Sequence, residues 1–225
     1  MIFAAGLGTR MGALTRDRPK GLIEVAGRPL VDHALALVRG AGVPRVVVNT
    51  HAHAAMLQAH LAAVAPGALV SHEPELLETG GGLRRALPLL GSSPVFTLNA
   101  DMVWSGPNPL TALAAAWDAG RMGAVLCLMP RDAALGHEGP GDFFRAGDGR
   151  LTRRGAAAAA DLVYAGAQII DTAMLAEMPA GPFSLNLVWD RMLTMGRVFG
   201  VVHAGGWADV GTPEGLARAE AAFGR

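Results

Sequence analysis

Short apolar segments and longer amphipathic segments alternate along the first half of the chain. The short segments are mostly aliphatic, which is typical of strands buried on both faces, and they span residues 1–5, 46–49, 69–71, 95–99 and 124–128. The longer segments repeat apolar residues every three or four positions, which predicts helices, and they span residues 30–38, 54–64, 83–90 and 110–117. This alternation predicts an α/β fold with a Rossmann-like, mostly parallel (mixed) sheet and helices on both faces.

The pattern changes at residue 129. Residues 130–161 are rich in glycine, proline and charge, and residues 142–151 predict a hairpin that turns at 147–149. The elements predicted to follow are a strand at 163–170, a helix near 185–195, a strand at 197–204 and a closing helix at 213–223. We predict a single domain over residues 1–225, in which residues 129–225 form a lid or substrate-binding part added to residues 1–128.

Composition and charge exclude several classes of protein. With 19 basic and 19 acidic side chains the formal net charge is zero, so we expect no nucleic acid partner. No run approaches the roughly 18 apolar residues that span a membrane, and the first residues lack the basic leader of a secretory signal, so we expect a cytoplasmic protein with no membrane partner. The single cysteine, Cys127, lies in an apolar run and is predicted to be buried.

A glycine-rich, basic loop directly follows the first predicted strand. Residues 4–21 read AAGLGTRMGALTRDRPKG, in which Gly6 and Gly8 let backbone N–H groups approach a phosphate. Lys20 is the only lysine among the 19 basic residues of the chain. A lysine supplies a compact point charge that the planar guanidinium of arginine does not reproduce, so we predict that Lys20 has a function.

Two other phosphate-binding patterns do not fit this loop. The dinucleotide fingerprint needs a third glycine and a helix start where Met11 stands, and the P-loop needs serine or threonine after its lysine, ahead of a helix. A glycine turn with solvated basic residues remains as the alternative without a function. The side chains around the turn suit a triphosphate, because positive groups offset the charge that builds up as pyrophosphate leaves. They are Thr9, Arg10, Arg16, Arg18 and Lys20.

The run GLGTRMGALTRDRPK closely resembles the loop of the nucleoside-diphosphate-sugar pyrophosphorylases, which are sugar-1-phosphate nucleotidyltransferases with a glycosyltransferase-A-like fold. That family has proline where Ala13 and Gly21 stand, a departure that affects the rigidity of the loop more than its chemistry. The resemblance implies that Lys20 contacts the α-phosphate or the sugar phosphate. It implies that the nucleotide phosphates are bound by Ala5, Gly6, Gly8, Thr9 and Arg10. Residues 1–128 would be the nucleotide-binding part and residues 129–225 the sugar-binding part.

Two aspartates occur in contexts where the same family binds magnesium. Asp101 follows the predicted strand at 95–99, and Asp209 lies in the run GGWADVGTPE. An aspartate at a strand end more often caps a turn, but nucleotidyl transfer needs Mg²⁺, which takes one or two carboxylates and substrate phosphates as ligands. The resemblance therefore makes Asp101 and Asp209 the predicted ligands of a Mg²⁺ cofactor, and it makes Arg10, Lys20 and Asp101 the predicted catalytic residues.

The family resemblance implies that the segment 72–91, HEPELLETGGGLRRALPLLG, binds the base. Thr79 and Gly80 are predicted to expose backbone donors and acceptors, with Glu73 as a nearby carboxylate; a helix N-terminus that favours acidic residues is the alternative. LETGGG, ALPLLG and the GDF at 141–143 resemble the muramate-type bacterial uridylyltransferases, which recycle cell-wall sugar. This resemblance favours UTP over GTP, although guanine would satisfy the carboxylate of Glu73 better.

The sequence and the resemblance together predict an enzyme. It would be a Mg²⁺-dependent nucleotidyltransferase that transfers a nucleotidyl group from an NTP, with UTP favoured, to a sugar 1-phosphate such as N-acetylmuramate 1-phosphate. The predicted sugar-binding residues are Asn99, Gly141, Asp142 and Asn186. Its partners are these small molecules, and a monomer or a small homo-oligomer is expected. The alternatives are a GTP- or CTP-dependent transferase acting on another phosphorylated acceptor and a non-catalytic nucleotide-sugar sensor.

Overall fold

The computed structural model describes residues 1–91 and 93–224, in which strands and helices follow the predicted order. The helices are α1 Leu30–Gly40, α2 Ala54–Val64, α3 Glu78–Leu90, α4 Pro109–Ala116, α5 Leu185–Thr194 and α6 Pro213–Phe223. The strands are β1 Ile2–Phe3, β2 Glu24–Val25, β3 Arg28–Pro29, β4 Val47–Thr50, β5 Leu69–His72, β6 Val95–Asn99, β7 Met102–Trp104, β8 Ala124–Pro130, β9 Phe143–Arg145, β10 Leu151–Arg153, β11 Leu162–Ile170, β12 Val198–Val202 and β13 Trp207–Asp209.

Nine of these strands form one mixed sheet. Its order is β10-β9-β11-β6-β1-β4-β5, with β8 also pairing β11 and with β12 beside β8. Strands β6, β1, β4 and β5 run parallel, and β11 runs antiparallel to both β6 and β8. The chain passes from β1 to β4 and β5 on one side and then returns to β6 on the other. Ligands bind beyond the carboxyl ends of strands at such a change of direction, and here those ends are Phe3 and Asn99, which are register partners.

Helices cover both faces of the sheet, as the sequence predicted. Consecutive residues of β4 belong to different hydrophobic cores: Val48 packs with Val31 of α1 and Leu57 of α2, whereas Val47 packs with Leu83 of α3. This alternation follows from the two-residue period of a strand, in which neighbouring side chains point to opposite faces. Val47 and Val48 are consequently buried on opposite faces of the sheet, each beneath a layer of helix.

A two-stranded ribbon of β7 and β13, which the sequence did not predict, crosses the carboxyl edge of the main sheet. Trp104 pairs with Trp207 and Met102 pairs with Asp209 in antiparallel register. Each strand has only three residues, and the partners are more than a hundred residues apart, so no local pattern predicts the pairing. The ribbon brings the segments that carry Asp101 and Asp209 together.

The loop after β1 contains helical turns where the sequence predicted none. Residues Thr9–Thr15 and Lys20–Leu22 form 3₁₀ turns, and Gly12 breaks the first of them with a φ of 58°. These turns lack the three-to-four-residue apolar repeat of an α-helix, which explains why the prediction missed them. The predicted hairpin at 142–151 is present as β9 and β10. No helix within the described ranges is both long and apolar enough to span a membrane.

Candidate active site

Two adjoining pockets open at the carboxyl ends of β1 and β6. The first, here called the loop pocket, has a volume of about 240 Å³ and lies among the segment 4–6, Lys20, Glu78 and Asp101. The second, here called the aromatic pocket, has a volume of about 270 Å³ and is lined by several aromatic side chains and by Asp209. Phe3, Thr79 and Asn99 line both. The pockets are therefore two halves of one cleft.

The glycine-rich loop folds back on itself at Gly8. The carbonyl oxygen of Gly8 accepts hydrogen bonds from the Met11 amide at 2.8 Å and from Thr15 Oγ1 at 2.9 Å. Gly8 has a φ of +63°, and a Cβ there would lie 2.9 Å from Thr15 Cγ2, so only glycine is free of strain at this turn. The predicted phosphate-binding residues lie along it: Ala5 and Gly6 line the loop pocket, and Thr9 is exposed.

The same fold of the loop carries Lys20 into the cleft. Its Nζ donates to Asp101 Oδ2 at 2.6 Å, and 12% of the lysine side chain and 29% of the aspartate side chain are exposed. Asp101 lies in the tight turn between β6 and β7. Two predicted catalytic residues thus form a half-buried ion pair, which is screened less than a surface pair would be.

The ribbon of β7 and β13 places the second predicted metal ligand beside this pair. The amide of Val210 donates to the carbonyl oxygen of Asp101 at 3.0 Å, so the backbones that carry Asp101 and Asp209 are hydrogen-bonded neighbours. Burial raises the pKa of the Asp209 carboxyl above its ordinary value, and the negative charge of Asp101 raises it further. The positive charges of Lys20 and Arg10 oppose that rise. Two acidic and two basic side chains therefore share one electrostatic site.

Arg10 is exposed and lies against the far side of Asp209. A Cβ added to Gly211 would lie 2.9 Å from Arg10 Nη2 and 2.8 Å from Asp209 Oδ1. A side chain at position 211 would therefore separate the guanidinium from the carboxylate. Gly211 allows this approach, and no local pattern predicts that role.

The chemistry of Asp101 and Asp209 fits a magnesium ion. Asp209 Oδ1 is buried without a hydrogen-bond partner among the described residues, and such an atom is costly unless a cation or a donor satisfies it. No group of three or more histidine, cysteine or acidic side chains within those residues could hold a metal by itself. Two carboxylates suit Mg²⁺, which keeps several waters and takes substrate phosphates as its remaining ligands.

Glu73 is a buried residue at the floor of the loop pocket. Its Oε1 accepts from Asn49 Nδ2 at 2.8 Å, and its Oε2 accepts from the Leu77 amide at 3.0 Å. Asn49 Oδ1 in turn accepts from the Ala4 amide at 2.7 Å. The carboxylate predicted to meet the base is thus bonded through both oxygens, and it ties the base segment to the start of the glycine-rich loop. Its role in binding the nucleotide stays a prediction.

Gly80 does not expose its backbone N–H group, contrary to the sequence prediction. The amides of Gly80 and Gly81 both donate to the carbonyl oxygen of Phe183, at 2.8 and 3.0 Å, and a Cβ on Gly80 would lie 2.3 Å from the Phe183 ring. The glycines let the first turn of α3 pack against the segment that leads into α5. Thr79 lines both pockets, although its Oγ1 accepts from the Leu185 amide at 3.0 Å.

Three of the four predicted sugar-binding residues line the aromatic pocket, namely Asn99, Asp142 and Asn186. Gly141 is not among the lining residues. It has a φ of +84°, and a Cβ there would lie 2.3 Å from the carbonyl oxygen of Ala160. The backbone conformation and this close contact therefore explain why position 141 requires glycine. Asp142 Oδ2 accepts from the Tyr164 amide at 2.8 Å, which fixes the carboxylate at the pocket wall.

Arg153 also lines the aromatic pocket, and the sequence analysis missed it. It ends β10, and β9 of the same hairpin pairs with β11, which turns Arg153 toward α5. A hairpin prediction gives no information about the face on which each side chain lies. Trp189 is buried, lines the same pocket and donates from Nε1 to Gln168 Oε1 at 2.9 Å.

Comparison with known proteins agrees with this site. Residues 1–173 match the family model of the MobA-like NTP transferase domain. The chain is 44% identical to N-acetylmuramate alpha-1-phosphate uridylyltransferase of Caulobacter vibrioides, over 98% of this chain and 95% of that protein. It is 32% identical to the protein of the same name from Neisseria meningitidis, over 100% and 97% of the two chains.

Solved structures share the fold at low identity. A putative glucose-1-phosphate thymidylyltransferase of Bacillus anthracis superimposes with a TM-score of 0.84 at 15% identity, over 99% of this chain and 94% of that one. HddC of Yersinia pseudotuberculosis superimposes with a TM-score of 0.79 at 20% identity, over 99% and 97%. The expectations of a mixed α/β sheet and of the pyrophosphorylase family are confirmed. The chain belongs to the MobA-like NTP transferase family, and it is a nucleotidyltransferase.

Proposed function

We propose that the chain transfers UMP from UTP to N-acetylmuramate 1-phosphate in a Mg²⁺-dependent reaction that gives UDP-N-acetylmuramate and pyrophosphate. The observation that carries this proposal is the 44% identity over nearly the full length of the Caulobacter vibrioides uridylyltransferase. The cleft supports it, because one half contains the glycine-rich loop and Lys20 and the other half has the aromatic lining that suits a sugar ring. The reaction belongs in the cytoplasm, where both substrates are soluble metabolites.

The transfer is an in-line displacement at phosphorus. An oxygen of the sugar phosphate attacks the α-phosphorus of UTP, and a new P–O bond forms as the bond to the bridging oxygen breaks. The electron pair of the broken bond leaves with pyrophosphate, so no enzyme nucleophile is required. Lys20 and Arg10 would offset the negative charge on the α-phosphate and on the leaving group. Gly6 and Gly8 would donate backbone N–H groups to the same phosphates.

Asp101 and Asp209 would hold the metal between them. Bound Mg²⁺ supplies charge neutralisation at the phosphates. The unpartnered Oδ1 of Asp209 and the half-exposed carboxylate of Asp101 are the oxygens available to it. Lys20 Nζ donates to one oxygen of Asp101 at 2.6 Å, so it would orient that carboxylate in addition to contacting the substrate.

The two pockets divide the substrates between them. The nucleotide would occupy the loop pocket, with the uracil near Glu73, Thr79 and the buried turn at Gly80. The sugar would occupy the aromatic pocket, near Asn99, Asp142 and Asn186. The scissile phosphate would then lie where the pockets meet, close to the carboxylates.

Pyrophosphate release tests the proposal. The enzyme would be assayed with Mg²⁺ and each of UTP, GTP and CTP, paired with the 1-phosphates of N-acetylmuramate, N-acetylglucosamine, glucose and mannose. Release with UTP and the muramate sugar, and much less with the other pairs, is expected. Pyrophosphate release with another pair would support nucleotidyl transfer but contradict the proposed substrates. Absence of release in all pairs, with a nucleotide sugar still raising the melting temperature, would make the cleft a sensor site.

The metal ligands have a separate test. Asp209→Asn keeps the size of the side chain and removes its charge, so turnover should fall by about 100-fold or more, the scale seen for lost charge stabilisation in a transition state. Binding of Mn²⁺, followed by electron paramagnetic resonance, should weaken in the same variant. Unchanged metal binding and turnover would contradict the assignment. Asp148→Asn, in the exposed turn of the β9–β10 hairpin, is the matched control.

A further inference from the structure

The aromatic pocket contains a guanidinium group that a neutral sugar does not need. Arg153 Nε donates to Asp190 Oδ1 at 2.9 Å, and Nη2 lies 2.8 Å from the same oxygen in the ion pair. Nη2 donates to Asn186 Oδ1 at 2.9 Å. Both partners come from α5, so the helix fixes one edge of the guanidinium. Arg153 Nη1 has no hydrogen-bond partner among the described residues, and 31% of the side chain is exposed.

Aromatic rings hold the plane of this guanidinium. Its central carbon lies 4.9 Å from the centroid of Phe143 and 5.7 Å from that of Trp189. Trp189 is itself fixed, because Tyr164 packs edge-on at 4.8 Å and Gln168 accepts from its indole nitrogen. A cation held over rings and against a carboxylate is preorganised, so little side-chain entropy is lost when it binds an anion.

The ion pair with Asp190 does not cancel the attraction of Arg153 for a second anion. The Asp190 side chain is 56% exposed, so water screens its charge. It occupies the Nε edge of the guanidinium, and the N–H groups of Nη1 remain for a ligand. The N–H groups of Nη1 can donate charge-assisted hydrogen bonds to a carboxylate. The other titratable side chains that line this pocket are those of Asp142, Asp209, His137 and Tyr164.

We propose that Arg153 binds the lactyl carboxylate of N-acetylmuramate 1-phosphate and so selects this sugar over N-acetylglucosamine 1-phosphate. This inference rests on the proposed function. The two sugars differ only in the lactyl ether on the 3-oxygen, which ends in a carboxylate. A pocket that discriminates between them needs a cation at the position of that group, and Arg153 is the arginine that lines the aromatic pocket. Asn186 and Asp190 act as positioning residues for it.

The test compares three acceptors in the full-length enzyme with saturating UTP and Mg²⁺. They are N-acetylmuramate 1-phosphate, the methyl ester of its lactyl group and N-acetylglucosamine 1-phosphate. The ester keeps almost the whole shape of the substrate and removes its charge. Arg153→Gln should lower kcat/KM for the muramate substrate by about 10- to 100-fold, which is the scale of a charge-assisted hydrogen bond. For the ester and for N-acetylglucosamine 1-phosphate, kcat/KM should change less than about threefold.

Arg150→Gln is the matched control. Arg150 lies on the same hairpin, pairs with Asp148 at 3.3 Å and lies 6.0 Å from the centroid of Phe199, but it lies outside both pockets. Its substitution should leave all three acceptors unchanged. Arg153→Lys keeps the charge and loses the planar fork, so it should recover part of the preference for the muramate substrate over its ester.

The outcomes separate this inference from the proposed function. Wild-type turnover of the muramate substrate, with an equal loss on all three acceptors in Arg153→Gln, would assign Arg153 a structural role and overturn the inference. Unchanged kinetics in that variant would also overturn it and leave the proposed function intact. Absence of wild-type turnover of N-acetylmuramate 1-phosphate, with turnover of another sugar phosphate, would overturn both.

Discussion

Lys20 Nζ lies 2.6 Å from Asp101 Oδ2, across 81 residues of sequence. This pair joins the glycine-rich loop after β1 to the turn after β6, the two strands between which the sheet changes direction. Burial and the charge of Asp101 raise the pKa of the Asp209 carboxyl, and the positive charge of Lys20 opposes that rise. The only lysine of the chain therefore offsets the charge of these two carboxylates.

Lys20→Arg is expected to lower kcat by about tenfold or more, because the planar guanidinium does not reproduce a compact ammonium in a confined position. The space is limited: a Cβ on Gly8 would lie only 3.2 Å from the Cβ of Lys20. The melting temperature should change little, since the charge is retained. Steady-state pyrophosphate release and differential scanning fluorimetry measure the two effects. Arg131→Lys, an exposed position outside both pockets, should behave as wild type, and equal kinetics in Lys20→Arg would show that any cation suffices.

Cys127 is expected to be unreactive in the native protein. It is 1% exposed in the centre of β8, and burial raises the pKa of its thiol to about 12. Since the thiolate is the reactive form, the raised pKa leaves almost none of it at mildly alkaline pH, and the fraction grows only as the pH approaches that value. Ellman's reagent should label the denatured chain completely and the native chain only at the rate of global opening. Rapid labelling of the native protein would contradict this burial.

Elements with a local signal were predictable from the sequence. Helices α2 and α6 have the predicted bounds. The loop pointed to Lys20, and the strand end together with the family resemblance pointed to Asp101, which the structure places in contact with each other. Local apolar spacing and a phosphate-binding glycine turn are properties of neighbouring residues, so the sequence alone contains them. Helix α3 begins five residues earlier than predicted, at Glu78, because Gly80 and the two glycines after it are poor helix formers that obscure the first turn.

Features that depend on distant partners were not predictable. The pairing of Trp104 with Trp207 joins residues more than a hundred positions apart, and it decides how Asp209 meets Asp101. The position of Arg153 depends on which face of the hairpin packs against α5. Gly80 is hidden by Phe183, a contact across the cleft that no pattern within the base segment records. Each of these features depends on packing between residues that are distant in sequence, which local patterns do not encode.

The turn between β2 and β3 offers a stabilising substitution. Ala26 and Gly27 occupy its centre with φ values of 55° and 67°, a combination that favours asparagine followed by glycine. Ala26→Asn should raise the free energy of unfolding by about 0.5 to 1 kcal/mol, because alanine is strained at positive φ. Urea denaturation measures the change, and kcat should not move because the turn lies outside both pockets. A loss of stability would indicate that the interaction of Ala26 with Glu220 depends on the smaller side chain.

Gly80→Ala is expected to lower the free energy of unfolding by about 2 kcal/mol, the usual cost of overpacking a core. The new methyl group would lie 2.3 Å from the Phe183 ring and 2.8 Å from its carbonyl oxygen, and Phe183 is only 4% exposed, so it has little room to move. Displacement of Phe183 would shift the start of α5, where Ser184 and Asn186 line the aromatic pocket. The KM for the sugar phosphate should therefore rise more than the KM for the nucleotide.

Gly147→Ala is the control for that substitution, because a Cβ on Gly147 would meet nothing within 4 Å. It lies in the β9–β10 turn at an ordinary φ, so alanine should leave stability within about 0.5 kcal/mol of wild type or raise it slightly. Urea unfolding of both variants separates packing at Gly80 from the general effect of replacing glycine. The contrary result is that Gly80→Ala unfolds at the wild-type urea concentration with unchanged KM values. That result would show that the segment at Phe183 can shift to accommodate the methyl group. The close contact between α3 and α5 would then not determine the shape of the aromatic pocket.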